Sequence, residues 1–74
     1  MGPTGRARYE FALDGPLART ADALLRTRFD GVSTGDGDPA VLVVDDLDQA
    51  GVRALLVLLW DTGHAVCSMT RHPG

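Results

Sequence analysis

Residues 40–63, AVLVVDDLDQAGVRALLVLLWDTG, decide the fold of this 74-residue chain. They begin with Ala40–Val44, an unbroken apolar run that is rich in β-branched valine. A strand without polar alternation is typical of burial on both faces, so we predict a central strand here. Asp48 stands where a helix N-cap is expected, and Gly63 stands where the residue just past a helix is expected. The sequence therefore predicts a helix over Gln49–Thr62.

The part of the chain before residue 40 shows the same order of strand and helix. Tyr9, Phe11 and Leu13 alternate with more polar or smaller residues, which is typical of a half-buried strand. Apolar residues then recur at helical spacing, with arginines and an aspartate on the opposite side. This pattern predicts a helix over Leu17–Arg28.

The turn between this strand and this helix consists of Asp14, Gly15, Pro16 and Leu17. Pro16 suits the first turn of a helix, and the Asp14 carboxylate can accept a hydrogen bond from the free N–H groups there. A helix start of this kind also presents N–H groups to an anion. We therefore predict that any small-molecule site lies at these four residues, and the alternative is an ordinary capped turn.

Two further strands complete the predicted set of elements. Phe29–Thr34 is predicted as a short strand, and it is followed by glycine-rich turn chemistry over Gly35–Pro39. His64–Thr70 alternates again and is predicted as the last strand. In this alternation Cys67 shares a side with Ala65 and Met69, so we expect its thiol in the core.

The predicted order is strand, helix, strand, strand, helix, strand. Right-handed crossovers convert that order into an α+β, ferredoxin-like βαββαβ domain, in which a four-stranded antiparallel sheet carries both helices on one face. The first and third strands are expected to be central. We predict one domain over residues 8–70, a flexible amino terminus over 1–7 and a tail over 71–74.

Composition and charge exclude several classes of function. The net charge is −3 and the basic residues are scattered arginines, so we expect no nucleic-acid partner. The longest apolar run, Ala54–Trp60, is far too short to cross a membrane. Cys67 is the only cysteine, which excludes an internal disulfide. With no basic and then apolar leader at the start of the sequence, we expect a cytoplasmic protein.

Chemistry-bearing residues form no familiar constellation. Aspartates cluster around two turns, at Asp45, Asp46 and Asp48 and at Asp30, Asp36 and Asp38. A cation site is one interpretation, but helix capping and a solvated turn explain the clusters with fewer assumptions. His64 and Cys67 are separated by an odd number of residues on a strand and would face opposite ways. We predict no catalytic residues, no metal and no cofactor.

The second helix is apolar on two sides. Val52, Leu55, Leu56 and Leu59 form the side that we predict to cover the sheet. The other side, expected to be exposed, consists of Ala50, Ala54, Val57 and Leu58 with Trp60 on its flank. Clustered apolar exposure usually marks an interface, and twofold symmetry is its commonest form. We therefore predict a homodimer through this helix.

The segment Asp14–Leu24, DGPLARTADAL, resembles the first strand-to-helix turn of ACT domains. The resemblance implies a small regulatory module that binds an amino acid at a subunit interface. In the family, a glycine and one more residue stand between the proline and the leucine, whereas here Leu17 directly follows Pro16. The second half, with Asp48-Gln49-Ala50, Gly63 and Ser68, resembles small actinobacterial proteins, which implies a bacterial source.

Three hypotheses of function follow from the sequence. The first is a non-catalytic binding or regulatory module that self-associates through its second helix and binds a small anionic or amino-acid ligand. The second is an accessory subunit that docks on a larger biosynthetic enzyme through the same helix. The third is a small enzyme that uses the open face of the sheet. The mass of the protein in solution distinguishes the first hypothesis from the second.

Overall fold

The computed structural model describes residues 6–35, 37 and 39–72. The elements are β1 (Ala7–Asp14), α1 (Arg19–Arg28), β2 (Val32–Gly35), β3 (Ala40–Leu47), α2 (Gln49–Asp61) and β4 (Ala65–His72). The antiparallel sheet has the order β2-β3-β1-β4, with β1 and β3 in the centre. The predicted ferredoxin-like βαββαβ fold is therefore confirmed. The predictions for residues 1–5, 36, 38 and 73–74 lie outside the described residues.

One core lies between the sheet and the two helices. Every second residue of β1 points into it, and Tyr9, Phe11 and Leu13 are buried as the alternation predicts. Phe11 and Leu42 face each other on the two central strands and have no exposed surface. Helix α1 adds Ala21 and Leu25, and α2 adds Leu55, Leu58 and Leu59.

The prediction that Ala40–Val44 is buried on both faces is wrong. Leu42 and Val44 are fully buried, but Val41 and Val43 between them are only half-buried. Both helices pack on the core at one face of the sheet, and within residues 6–35, 37 and 39–72 no helix packs on the second face. The apolar run therefore indicates a central strand correctly, but it does not indicate a second covering layer.

Helix α1 begins two residues later than predicted. Its N-cap is Ala18, which is extended and has no side-chain cap, so the predicted capping by Asp14 is wrong. Asp14 belongs to β1 and pairs with Ala65 of β4, which prevents its carboxylate from turning back over the helix. Gly15 at φ 97° then turns the chain, and Pro16 lies in the connection rather than in the first helical turn.

Both predicted ends of α2 are confirmed. The Asp48 carboxylate accepts a hydrogen bond of 2.7 Å from the Gly51 N–H. At the other end Gly63 has a φ of 87°, and its N–H donates to the Trp60 carbonyl while the His64 N–H donates to the Leu59 carbonyl. These two bonds define a Schellman motif, which satisfies carbonyls that the helix leaves free.

Replacing Gly63 with alanine should lower the free energy of unfolding by about 1–2 kcal/mol, the usual cost of a left-handed conformation for a residue with a Cβ. Nothing lies within 4 Å of the added methyl group, so the cost is conformational and not steric. Gly35→Ala is the control because Gly35 lies in β2 without a positive φ. Urea unfolding of both variants checks the prediction, and equal losses would contradict it.

Strand ends differ from the predicted boundaries in ways that have physical causes. Phe29 is the C-cap of α1 and its ring packs on the core, so β2 starts only at Val32. Ala7 is buried within β1, and His72 pairs with Arg8, so both predicted termini are shorter than expected.

The β1–β4 register shifts opposite Cys67, which turns this thiol outward. Its predicted place in the core is therefore wrong.

The two edges of the sheet are protected differently. On β2 the Arg26 guanidinium donates to the Val32 carbonyl at 3.2 Å and is held by Asp22 at 2.9 Å. An arginine on an edge carbonyl blocks the approach of another strand. Strand β4 is twice as long, and in the described part of the chain it pairs only with β1.

Candidate interaction surface

Helix α2 is rotated relative to the predicted orientation. Leu55 and Leu59 are fully buried as expected, and Leu58 is buried as well, with 5% of its surface exposed. The predicted place of Leu58 on the exposed side is therefore wrong. Val52 and Leu56, predicted as core, are only half-buried on the flank of the helix. The buried side is thus centred between Leu55 and Leu58.

The rest of the predicted apolar side of α2 is exposed. Trp60 is 58% exposed and Val57 is 44% exposed, and they are the two largest apolar side chains on this side. Ala50 and Ala54 are also exposed next to Val57. These four residues, which we call the α2 surface, leave apolar side chains on the outside of the domain, with the exposed Arg53 and Asp61 beside them. No element in the described part of the chain covers this surface.

A groove of about 440 Å³ runs along one flank of the α2 surface, between α2 and β4. Its apolar lining consists of Val52, Leu56 and Trp60 of α2, Met69 of β4 and Tyr9 of β1. Met69 is 48% exposed because β4 lies at the edge of the sheet, beyond full cover by the helix. Sequence reasoning missed this groove because Met69 joins it only through the sheet register, where it pairs with Phe11.

A second groove of about 590 Å³ runs along the other flank and contains Ala50, Ala54 and Val57. Arg28, at the end of α1, forms its outer wall. Gln49 and Arg53 border both grooves, so the exposed side of α2 is a ridge with an apolar groove on each side. A ridge between two grooves is a shape that another helix can pack against.

The charges on α2 are few, and they form no ion pair with another residue that the structure describes. Its only charged residues are Arg53 and Asp61, and both are exposed. The ion pairs within residues 6–35, 37 and 39–72 are Arg6–Asp46, Arg8–Asp45, Arg26–Asp22 and His72–Glu10. Arg53 and Asp61 belong to none of these pairs, so each is available to a partner.

The predicted ligand turn lies on another part of the surface. Asp14, Gly15 and Pro16 are exposed, while Leu17 is half-buried and packs on the core. The structure thus brings these four residues together in one turn, next to the start of α1. The first N–H groups of a helix have no intrahelical acceptor, and the N-cap residue of α1, Ala18, supplies no side-chain acceptor for them.

His64 holds this turn against the far end of α2. Its ring is buried, and Nε2 accepts a 3.0 Å hydrogen bond from the Ala18 N–H. Nε2 therefore carries no proton, and Nδ1–H donates to the Thr62 hydroxyl at 2.9 Å. That hydroxyl in turn donates to the last carbonyls of α2, at Leu58 and Leu59. The chain of bonds links the ends of both helices.

Replacing His64 with alanine should lower the free energy of unfolding by about 1–3 kcal/mol, because the Ala18 N–H loses its acceptor in a partly buried site. Exchange of the Ala18 amide with solvent should become faster in the same variant. His72→Ala is the control, since His72 is exposed and its ring contacts the half-buried Glu10 at the edge of the sheet. Unchanged protection of Ala18 in H64A would show that the bond to His64 is not what holds this turn.

The cluster of Asp45, Asp46 and Asp48 is accounted for by capping and by ion pairs. Asp48 caps α2, Asp45 pairs with Arg8, and Asp46 pairs with Arg6 at 3.2 Å. Among the described residues, no group of three or more histidines, cysteines or carboxylates is placed to hold a metal ion. Asp36 and Asp38, in the second aspartate cluster, lie outside the described residues.

The described part of the chain has no helix that is long and apolar enough to span a membrane. Comparison of the chain with protein-family models, with curated proteins and with solved structures finds no match. Two places on the described surface have a geometry suited to binding, the α2 surface and the turn before α1.

Proposed function

We propose that this protein is a small non-catalytic module that associates with a second copy of itself through the α2 surface. The observation that carries the proposal is the exposure of Trp60 and Val57 next to the small residues Ala50 and Ala54. Full burial of a large apolar side chain stabilises by about 1.5–3 kcal/mol, and because Val57 and Trp60 are 44% and 58% exposed, a partner on this face gains about half of that for each.

Trp60 is the only tryptophan, so its fluorescence reports on the α2 surface alone. We expect the emission maximum to move to shorter wavelength as the protein concentration rises, because association transfers the indole from water into an apolar contact. Dilution should reverse the change. Val57→Asp should keep the long-wavelength emission at every concentration, since it places a charge in the centre of the α2 surface.

The control for this variant is Ala23→Asp, which adds the same charge to the exposed side of α1. Its emission should follow that of the unmodified protein. If the emission of the unmodified protein does not change with concentration, or if A23D and V57D behave alike, then association through the α2 surface is excluded.

A second candidate function is the binding of a carboxylate ligand, such as an amino acid, at the turn before α1. The observation that favours it is the missing side-chain cap at Ala18, because the first N–H groups of an uncapped helix have no acceptor within the helix. These groups form an anion-binding arrangement together with the helix dipole. The resemblance of Asp14–Leu24 to an ACT turn supports the same class of ligand.

Amide chemical shifts test this second candidate. On addition of a mixture of amino acids we expect Gly15, Leu17 and Thr20 to move, while amides in β2 stay in place. A bound ligand should also raise the melting temperature, because it stabilises only the folded state. Constant shifts at Gly15 and Leu17, together with an unchanged melting temperature, would exclude a ligand at this turn.

A further inference from the structure

We infer that the partner on the α2 surface is a second copy of this chain whose α2 runs antiparallel to the first. The inference rests on the proposed self-association and gives it a geometry. It starts from the row Arg53, Val57 and Asp61, three residues that follow one another at intervals of four along α2. Rows of this spacing are the ridges along which helices pack in the commonest class of helix pairs.

The two charges lie symmetrically on this row. Arg53 is four residues before Val57 and Asp61 is four residues after it, and their charges have opposite sign. When the row lies along its own copy in the antiparallel direction, with Val57 at the twofold axis, Arg53 comes beside the Asp61 of the second copy. The symmetry produces this contact twice, so both charges in both copies are paired.

The parallel arrangement is disfavoured by the same two residues. A parallel twofold pair would bring Arg53 beside its own copy and Asp61 beside its own copy. Like charges in contact suppress the wrong arrangement, and opposite charges fix the direction and register of the right one. Arg53 and Asp61 have no ion pair with another described residue, so pairing across the axis breaks no ion pair among residues 6–35, 37 and 39–72.

The neighbouring rows agree with close helix packing. On one side of the central row are Ala50 and Ala54, whose small side chains let a second helix approach. On the other side the row Val52, Leu56 and Trp60 forms the wall of the groove toward β4. A large apolar row and a small one thus flank the charged row, and in the antiparallel pair each lies beside its own copy: the alanine rows let the helices approach on one side, and the large apolar rows meet on the other.

Charge substitutions test the geometry without disturbing the core, because Arg53 and Asp61 are both exposed. R53E and D61R should each weaken the dimer, since each turns two attractions into two repulsions. For exposed pairs this change corresponds to a dissociation constant raised by about tenfold or more at low salt. The double variant R53E/D61R keeps the net charge of −3 and should restore the affinity.

Mixing the two single variants gives the sharpest result. In a mixed pair every contact between positions 53 and 61 joins opposite charges, so R53E and D61R should form a heterodimer more stable than either homodimer. R19E mixed with D61R is the control, because Arg19 lies on α1 and R19E carries the same net charge as R53E. Sedimentation of fluorescently labelled variants measures each affinity, and circular dichroism verifies that each variant is folded.

The possible outcomes separate this inference from the proposed function. Weakened single variants, a restored double variant and a preferred heterodimer support the antiparallel pair. If the unmodified protein is dimeric and the folded single variants dimerise equally well, the antiparallel geometry is wrong while self-association stands. If the unmodified protein is monomeric at high concentration, both the geometry and the self-association are wrong.

Discussion

Leu58→Asp should prevent folding, whereas Val57→Asp, one residue earlier, should leave the domain folded. Leu58 is 5% exposed and belongs to the core, while Val57 is 44% exposed. An unpaired buried charge costs about 3–5 kcal/mol, to which the lost packing of the leucine adds about 2 kcal/mol or more. A domain of this length is stabilised by only about 4–11 kcal/mol in total, so most or all of its stability is lost.

Circular dichroism and urea unfolding of the two variants measure the difference. The V57D variant should retain the spectrum of the unmodified protein, with a small loss of stability from the low helix propensity of aspartate. If L58D is folded and V57D is not, then α2 is rotated the other way and the α2 surface described above is not the exposed one.

Phe11→Ala should have the second large effect. Phe11 has no exposed surface and lies at the centre of the sheet, where it pairs with Leu42 on β3 and Met69 on β4. Its ring also stacks on that of Tyr9, with centroids 6.3 Å apart. Removal of a buried aromatic ring costs about 3–5 kcal/mol, which a small domain tolerates poorly.

Val41→Ala is the matched control for Phe11→Ala. Val41 also lies on a central strand, but it is half-buried and points to the open face of the sheet. Its truncation should lower the free energy of unfolding by about 1 kcal/mol. Equal losses in urea unfolding of F11A and V41A would mean that the open face is covered, for example by a partner, and that the core assignment needs revision.

The fold could be predicted because the apolar pattern identifies each helix and strand, and the order of these elements is that of a known arrangement. A strand pattern, a helical spacing and a second strand pattern follow one another in each half of the chain, and this order permits few arrangements. Asp48 and Gly63 mark the ends of α2 through contacts with their immediate neighbours. Such local contacts depend on short sequence spacing, which is why the sequence indicates them correctly.

The orientation of α2 could not be predicted, because the helix has no polar stripe to mark its exposed side. With apolar residues around nearly its whole circumference, the choice between Leu58 and Leu56 as core residue depends on where β3, β4 and α1 lie. The bond from Ala18 to His64 joins residues 46 positions apart and leaves no local pattern. The outward position of Cys67 likewise follows from a register shift between β1 and β4.

The residues of the α2 surface were predicted only in part, because they depend on the orientation of α2. Ala50, Ala54, Val57 and Trp60 are exposed as expected, but Leu58 is not. The ligand turn at Asp14–Leu17 exists as a turn, although α1 starts beyond it and His64, rather than Asp14, accepts from its first N–H group. Binding at either place stays a prediction until it is measured.

Sedimentation equilibrium over a wide range of protein concentration tests the central claim most directly. The chain has a mass of 7.8 kDa, so self-association through the α2 surface predicts an average mass that rises with concentration to twice this value and then stays constant. V57D should remain at 7.8 kDa under the same conditions. A mass of 7.8 kDa for the unmodified protein at the highest concentration would contradict the account, and so would a dimer that V57D leaves intact.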